Sequence, residues 1–137
     1  MTMTRTLMIV AELAAINWAL IVAAALIQAR AWTPSGMRTA MGNAKGTAEP
    51  GSFAARADRA GKNMLENLVL FAALALVASV AGITDPDVEL GARIFFWARL
   101  AYIPIYLVGV PVARTAVWAI SVIGMGLILA AIIRAAG

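Results

Sequence analysis

With no cysteine and no histidine among its 137 residues, the chain lacks the usual thiol nucleophile and the usual neutral metal ligand and general base. Side-chain chemistry falls to Arg, Tyr, Glu and Asn, or to a group borrowed from a bound molecule. Two sets of such residues share a helical spacing. Arg59, Asn63 and Glu66 stand at i, i+4 and i+7, so a helix carries all three on one face, and Asn67 extends that face. Arg99, Tyr102 and Tyr106 stand at i, i+3 and i+7, a cation and two phenols in one stripe, with Arg114 following eight residues later. Guanidinium forks recognise carboxylates and stabilise negative charge, phenols and amides donate hydrogen bonds, and a carboxylate receives an ammonium or another Arg. No metal-ligand cluster is present, and the glycines at 36, 42, 46 and 51 match neither a dinucleotide nor a nucleotide phosphate loop.

Each residue also has a plain structural reading. Arg59 and Lys62 can snorkel at a helix end, Tyr102 and Tyr106 can belong to an interfacial belt, and Arg114 can be loop punctuation. Three polar residues on one face that continues into apolar sequence favour an inter-helix site. The shared face with Arg99 likewise counts against a simple tyrosine belt. Glu12 and Asn17, inside another apolar run, are expected to make an inter-helix hydrogen bond or to pair with an Arg of the third span.

The elements that must position these residues follow from composition. The chain is 63% hydrophobic and 13% charged, with mean hydropathy +0.88, more apolar surface than a soluble domain of this size can bury. A water-soluble globule is excluded, and the length suits a single domain covering 1–137. About 20 residues of helix cross the hydrocarbon core, and four apolar runs qualify. They are Leu7 to Ala29, Leu65 to Ile83, Ile94 to Val110 and Ala116 to Ile133. With their polar extensions these predict helices over about 6–29, 53–83, 90–111 and 114–134. The first run is too long for the core of a cleaved signal and is expected to be a retained helix.

Residues 30–52 are polar and carry Pro34, Gly36, Gly42, Gly46, Pro50 and Gly51, which predicts an aqueous loop. Ser52 reads as the cap of a second helix that projects beyond the membrane. The other links are short, so consecutive helices are antiparallel. Dense small residues in the first and last spans, among them Ala23 to Ala25, Gly124 and Gly126, allow close helix approach.

The net charge of +4 does not point to nucleic acid, because the basic residues flank apolar spans. They set orientation instead. Arg30, Arg38, Lys45, Arg56, Arg59 and Lys62 gather in the first loop and Arg114 in the third, whereas the other side holds only Arg5, Arg93 and Arg134. Positive residues resist translocation. Both termini are therefore expected outside, periplasmic in a bacterial inner membrane, and the long loop in the cytoplasm.

The run from Arg59 through Phe71, with Phe95 to Tyr106 and Arg114 to Trp118, resembles the MAPEG family, the membrane-associated proteins of eicosanoid and glutathione metabolism. The RAxxNxxE pattern is the specific part, and the RxxYxxxY stripe with its following Arg is a second motif on another helix. The likeness is greatest to the small bacterial members and runs from about Ala55 onward. It implies an all-α integral membrane four-helix bundle assembled as a homotrimer, with glutathione as co-substrate between subunits near the cytoplasmic face.

By the same resemblance Arg59, Asn63 and Glu66 hold the tripeptide and Tyr102 and Tyr106 hydrogen-bond its polar ends. Arg99 assists or structures the pocket, and Arg30 contacts a glutathione carboxylate. Arg114 is the catalytic residue, beside the sulfur. Gly61 departs from some eukaryotic members by lacking a side chain. The implied function is a glutathione transferase or peroxidase-like enzyme acting on a lipophilic small molecule that arrives from membrane lipid. The alternative is a non-catalytic membrane scaffold or small-molecule binder.

Overall fold

The computed structural model describes residues 4–42, 49 and 51–137, and every regular element among them is helical. The elements are α1 (Arg5–Ala29), α2 (Pro34–Met41), α3 (Phe53–Val80), α4 (Pro86–Val108) and α5 (Pro111–Ala136). The four long helices each meet the length and hydropathy needed to cross a membrane. Lys45, Gly46 and Pro50 of the expected loop lie outside the described residues.

Local chemistry sets the ends. Thr4, Thr33 and Ser52 each accept a backbone N–H through the side-chain oxygen, opening α1, α2 and α3. Asp85 accepts from the Asp87 N–H, and Pro86 occupies the first turn, so α4 begins ahead of the apolar run, earlier than position 90. Pro111 does the same for α5, which therefore starts three residues before 114. The segment expected to be only loop carries a helix, α2, begun by Thr33 and Pro34. Gly36 seats it on the end of α1, since a Cβ there would stand 2.1 Å from the Arg30 carbonyl oxygen.

α4 packs most extensively on α5, and α1 on α3. The α4–α5 contact is a backbone approach. A Cβ on Gly91 would lie 2.4 Å from the Gly124 carbonyl oxygen, and one on Gly124 would lie 2.6 Å from that of Gly91. Gly126, expected to share this role, meets nothing and faces outward. Between the pairs sits one core, with Phe71 of α3 stacked on Phe95 of α4 at 4.2 Å and Ile9, Leu13, Met64, Leu68 and Ile128 around them. The opposite surfaces carry large exposed apolar side chains, Trp18, Val69, Val80 and Ile123 among them, which suits contact with acyl chains.

The chain order makes α1 and α4 parallel neighbours, both starting at the same end of the bundle. Leu13 packs in the cluster of Phe95, and Leu20 packs with Tyr102 and Tyr106. Asn17 lies between those leucines as Arg99 lies between those aromatics. The two polar residues thus share one level of the core.

Candidate functional site

At the end of the bundle where α3 begins and α4 ends, a cavity of about 300 Å³ is lined by Asn63 of α3, Tyr102 and Tyr106 of α4, and Arg114, Thr115 and Trp118 of α5. Three helices converge there because two contacts close that end. Arg56 Nε, near the start of α3, donates to the Leu107 carbonyl at 2.8 Å, satisfying one of the free oxygens at the end of α4. The short Gly109 and Val110 link then returns the chain at once into α5 and brings Arg114 beside α4.

Asn63 is fixed by Arg99. The guanidinium Nη2 donates to both the Asn63 backbone oxygen, at 3.0 Å, and its side-chain oxygen, at 3.1 Å. Asn67 Nδ2 adds a bond to the Asn63 backbone oxygen at 2.9 Å. An Arg can only donate, so this pairing assigns Oδ1 to the Arg99 side and leaves the Asn63 Nδ2 donor as the group open to a ligand. Arg99 itself is fully buried, its guanidinium carbon 4.7 Å from the Tyr102 ring centre and 5.7 Å from that of Phe95.

The two phenols follow in a tilted pair with ring centres 5.3 Å apart. Arg114 covers the second, its guanidinium carbon 5.1 Å from the Tyr106 ring centre. It is half-buried and has no ion-pair partner among the described residues. Arg114 belongs to the first turns of α5, where unpaired backbone N–H groups and the helix dipole also favour negative charge. The lining therefore offers a guanidinium, an amide donor and two phenolic hydroxyls to one anionic guest, while the Thr115 hydroxyl is spent on the Pro111 carbonyl oxygen at 3.1 Å.

Of the residues singled out in the sequence, this cavity unites Asn63, Tyr102, Tyr106 and Arg114, with Arg99 as support beneath. Arg59 and Glu66 are exposed on the outer side of α3 and do not line it. The helical wheel separates them: Asn63 is turned about 40° from Arg59 and about 60° from Glu66, enough to reach α4 while the others face away. Arg30 is exposed at the end of α1, where its backbone N–H closes the helix with φ 50°. Thr115 and Trp118 are additions that the sequence reading assigned no role, although their spacing from Arg114 places Trp118 one turn further along the same face. The inter-helix bond expected for Asn17 is not made by its buried Oδ1, and Glu12 forms no ion pair among the described residues.

Residues 6–134 match the family model of the MAPEG family. The chain belongs to the MAPEG family. Comparison with curated proteins and with solved structures finds no match. The MAPEG match spans all four long helices, including α1, where the sequence motifs were silent. It makes the protein an integral, multi-pass membrane four-helix bundle of the glutathione and eicosanoid metabolism type.

Proposed function

We propose that this MAPEG member is a membrane-embedded, glutathione-dependent transferase or peroxidase-like enzyme. The observation that carries the reading is the convergence of Arg114, Asn63, Tyr102 and Tyr106 on one cavity in a chain that has no thiol of its own. Glutathione supplies that thiol together with two carboxylates and an ammonium. Asn63 Nδ2 and the tyrosine hydroxyls donate to its acceptors, and Arg114 stands by the sulfur as an electrostatic activator.

A free thiol has a pKa of about 8.5, and lowering it by two units takes about 2.7 kcal/mol of preferential interaction with the thiolate. One guanidinium at the start of a helix, in a site shielded from bulk water, is a reasonable source of that amount. The thiolate then forms a bond to the electrophilic carbon of a lipophilic substrate as the leaving group departs with its electron pair. With a hydroperoxide the thiolate attacks oxygen, the O–O bond breaks, and a second glutathione completes the disulfide while alcohol and water are released.

Arg59, Glu66 and Arg30 lie outside the cavity of the single chain, and charges on the outside of a membrane helix call for a partner. In a homotrimer a neighbouring copy covers that side of α3, so these residues complete the glutathione site across the subunit boundary. The positive-inside pattern supports placing the cavity at the cytoplasmic face of a bacterial inner membrane, with both termini periplasmic.

One observation favours the second reading, a non-catalytic scaffold or binder. Arg99 of α4 and Asn67 of α3 both donate to Asn63, and the Arg99 bonds join the two helices as inter-helix glue would. An ultraviolet difference titration with glutathione, read at the thiolate band against pH, separates the two. The enzyme reading expects a thiolate about two pH units below the free thiol, lost in Arg114→Ala and largely kept in Arg114→Lys. Absence of bound glutathione, or an unshifted thiolate in the wild type, returns the polar stripe to an assembly role.

A further inference from the structure

A second cavity, of about 340 Å³, opens at the other end of the bundle between the parallel helices α1 and α4. Its walls are Arg5, Ile9 and Glu12 of α1 and Arg93, Phe96 and Trp97 of α4. Arg5 and Glu12 have no ion-pair partner among the described residues, although they share this cavity. Arg93 is held by Glu89 one turn earlier at 2.5 Å, and Trp97 is 68% exposed. Glu12 and Arg93 stand near one level of the two helices, each two turns in from its helix start. Glu12 falls inside the first apolar run, where a charge is costly unless something answers it, whereas Arg93 stands just ahead of the run that begins at Ile94.

We propose that this cavity binds the headgroup of a membrane phospholipid that carries both a phosphate and a primary ammonium. The charges decide the class. Arg5, Glu12 and Arg93 line the cavity, and Glu89, outside the lining, already pairs with Arg93; the four charges sum to zero, so a zwitterion is matched where a net anion or cation leaves a surplus. Arg93 and Arg5 donate to phosphate oxygens, the fork geometry suiting two acceptors at once. Glu12 accepts from the ammonium, which a primary amine satisfies with its N–H donors and a trimethylated amine cannot. Because Glu12 and Arg93 share a level, they suit a headgroup lying along the membrane surface. Ile9, Phe96 and the exposed Trp97 give the acyl chains an apolar rim, favouring a lipid over a free phosphoamine.

The test is native mass spectrometry of the full chain released from nanodiscs containing equal parts phosphatidylethanolamine, phosphatidylcholine and phosphatidylglycerol. The expected result is about fivefold preferential retention of phosphatidylethanolamine over phosphatidylcholine, the scale of one partly exposed ion pair. Glu12→Gln, which keeps the shape of the side chain, should abolish that preference, and Arg93→Gln should lower retention of all three lipids. Preference for phosphatidylglycerol, no preference in the wild type, or an unchanged preference in Glu12→Gln overturns the proposal. Displacement of the retained lipid by millimolar soluble phosphoethanolamine also overturns it. So does a disulfide cross-link between copies formed in Glu12→Cys, since the cavity is then a subunit contact.

Discussion

Arg99 is a fully buried guanidinium whose Nη2 is bonded to Asn63, while its Nε and Nη1 have no hydrogen-bond partner. Removing Asn63's side chain by Asn63→Ala therefore costs more than one bond, because it strips the buried cation of its side-chain acceptor. We expect a loss of about 1.5–3 kcal/mol, read by thermal unfolding in detergent, together with loss of glutathione binding. Asn17 makes the opposite case. Its buried Oδ1 is also unpaired, and Asn17→Leu should be neutral or stabilising by about 1–3 kcal/mol, since it removes an unsatisfied acceptor for a similar volume. A destabilised Asn17→Leu protein would show that Asn17 is satisfied by something that enters the core from outside the chain. The Arg99, Tyr102 and Tyr106 stripe was legible because helical periodicity alone puts the three on one side. The bond from Arg99 to Asn63 was not, because it joins residues 36 apart on different helices, and spacing along the chain carries no information about which faces meet.

Among the elements, the α4–α5 hairpin is the most closely packed, and it is held in two ways. In the second turn of α4, Gly91 presses backbone on backbone against Gly124 of α5, so Gly124→Ala should destabilise by about 1–3 kcal/mol. Gly126→Ala, facing open space, should instead stabilise by roughly 0.5–1 kcal/mol through helix propensity alone. The same thermal scans test both. Where the hairpin opens, Arg134 reaches Asp85 at 2.8 Å and Asp87 at 2.6 Å, clasping the end of α5 to the start of α4. The Arg134 bond, followed by the Asp87 backbone N–H, holds the Asp85 carboxyl below its ordinary range. A depressed folded-state pKa means that the contribution is present above the unfolded value and is lost as pH falls through the folded one. Unfolding temperature should therefore drop on acidification below about pH 4, and Asp85→Asn should flatten that part of the profile. The four long helices could be counted from apolar runs because lipid demands unbroken ones. α2 could not, since eight residues of mixed polarity give no period to read and the helix rests on a cap, a proline and one glycine contact.

For the whole molecule, the protomer leaves Arg59 and Glu66 on its outer surface, beside exposed Leu65, Val69 and Leu70. The proposed homotrimer would cover charge and apolar surface together. Chemical cross-linking in mild detergent should stop at three copies, and Glu66→Ala should weaken assembly and glutathione affinity in parallel. Glutathione binding that persists in a dissociated, folded protomer would instead confine the site to the cavity of one chain. That outcome would sink the shared-site part of the proposal and leave Arg114 in place.

The length of α3 has one more consequence. Its 28 residues extend about 42 Å against roughly 30 Å of hydrocarbon, and Asn63 lies ten residues from its start, so the cavity stands where the acyl region gives way to water. Glutathione dissolves on one side of that line and a lipophilic partner on the other, and the two meet only along it. For the proposed reaction, turnover should follow the mole fraction of the lipophilic substrate in the membrane or micelle. Diluting the substrate with inert detergent at constant total concentration should slow the enzyme, as expected of catalysis confined to a two-dimensional phase.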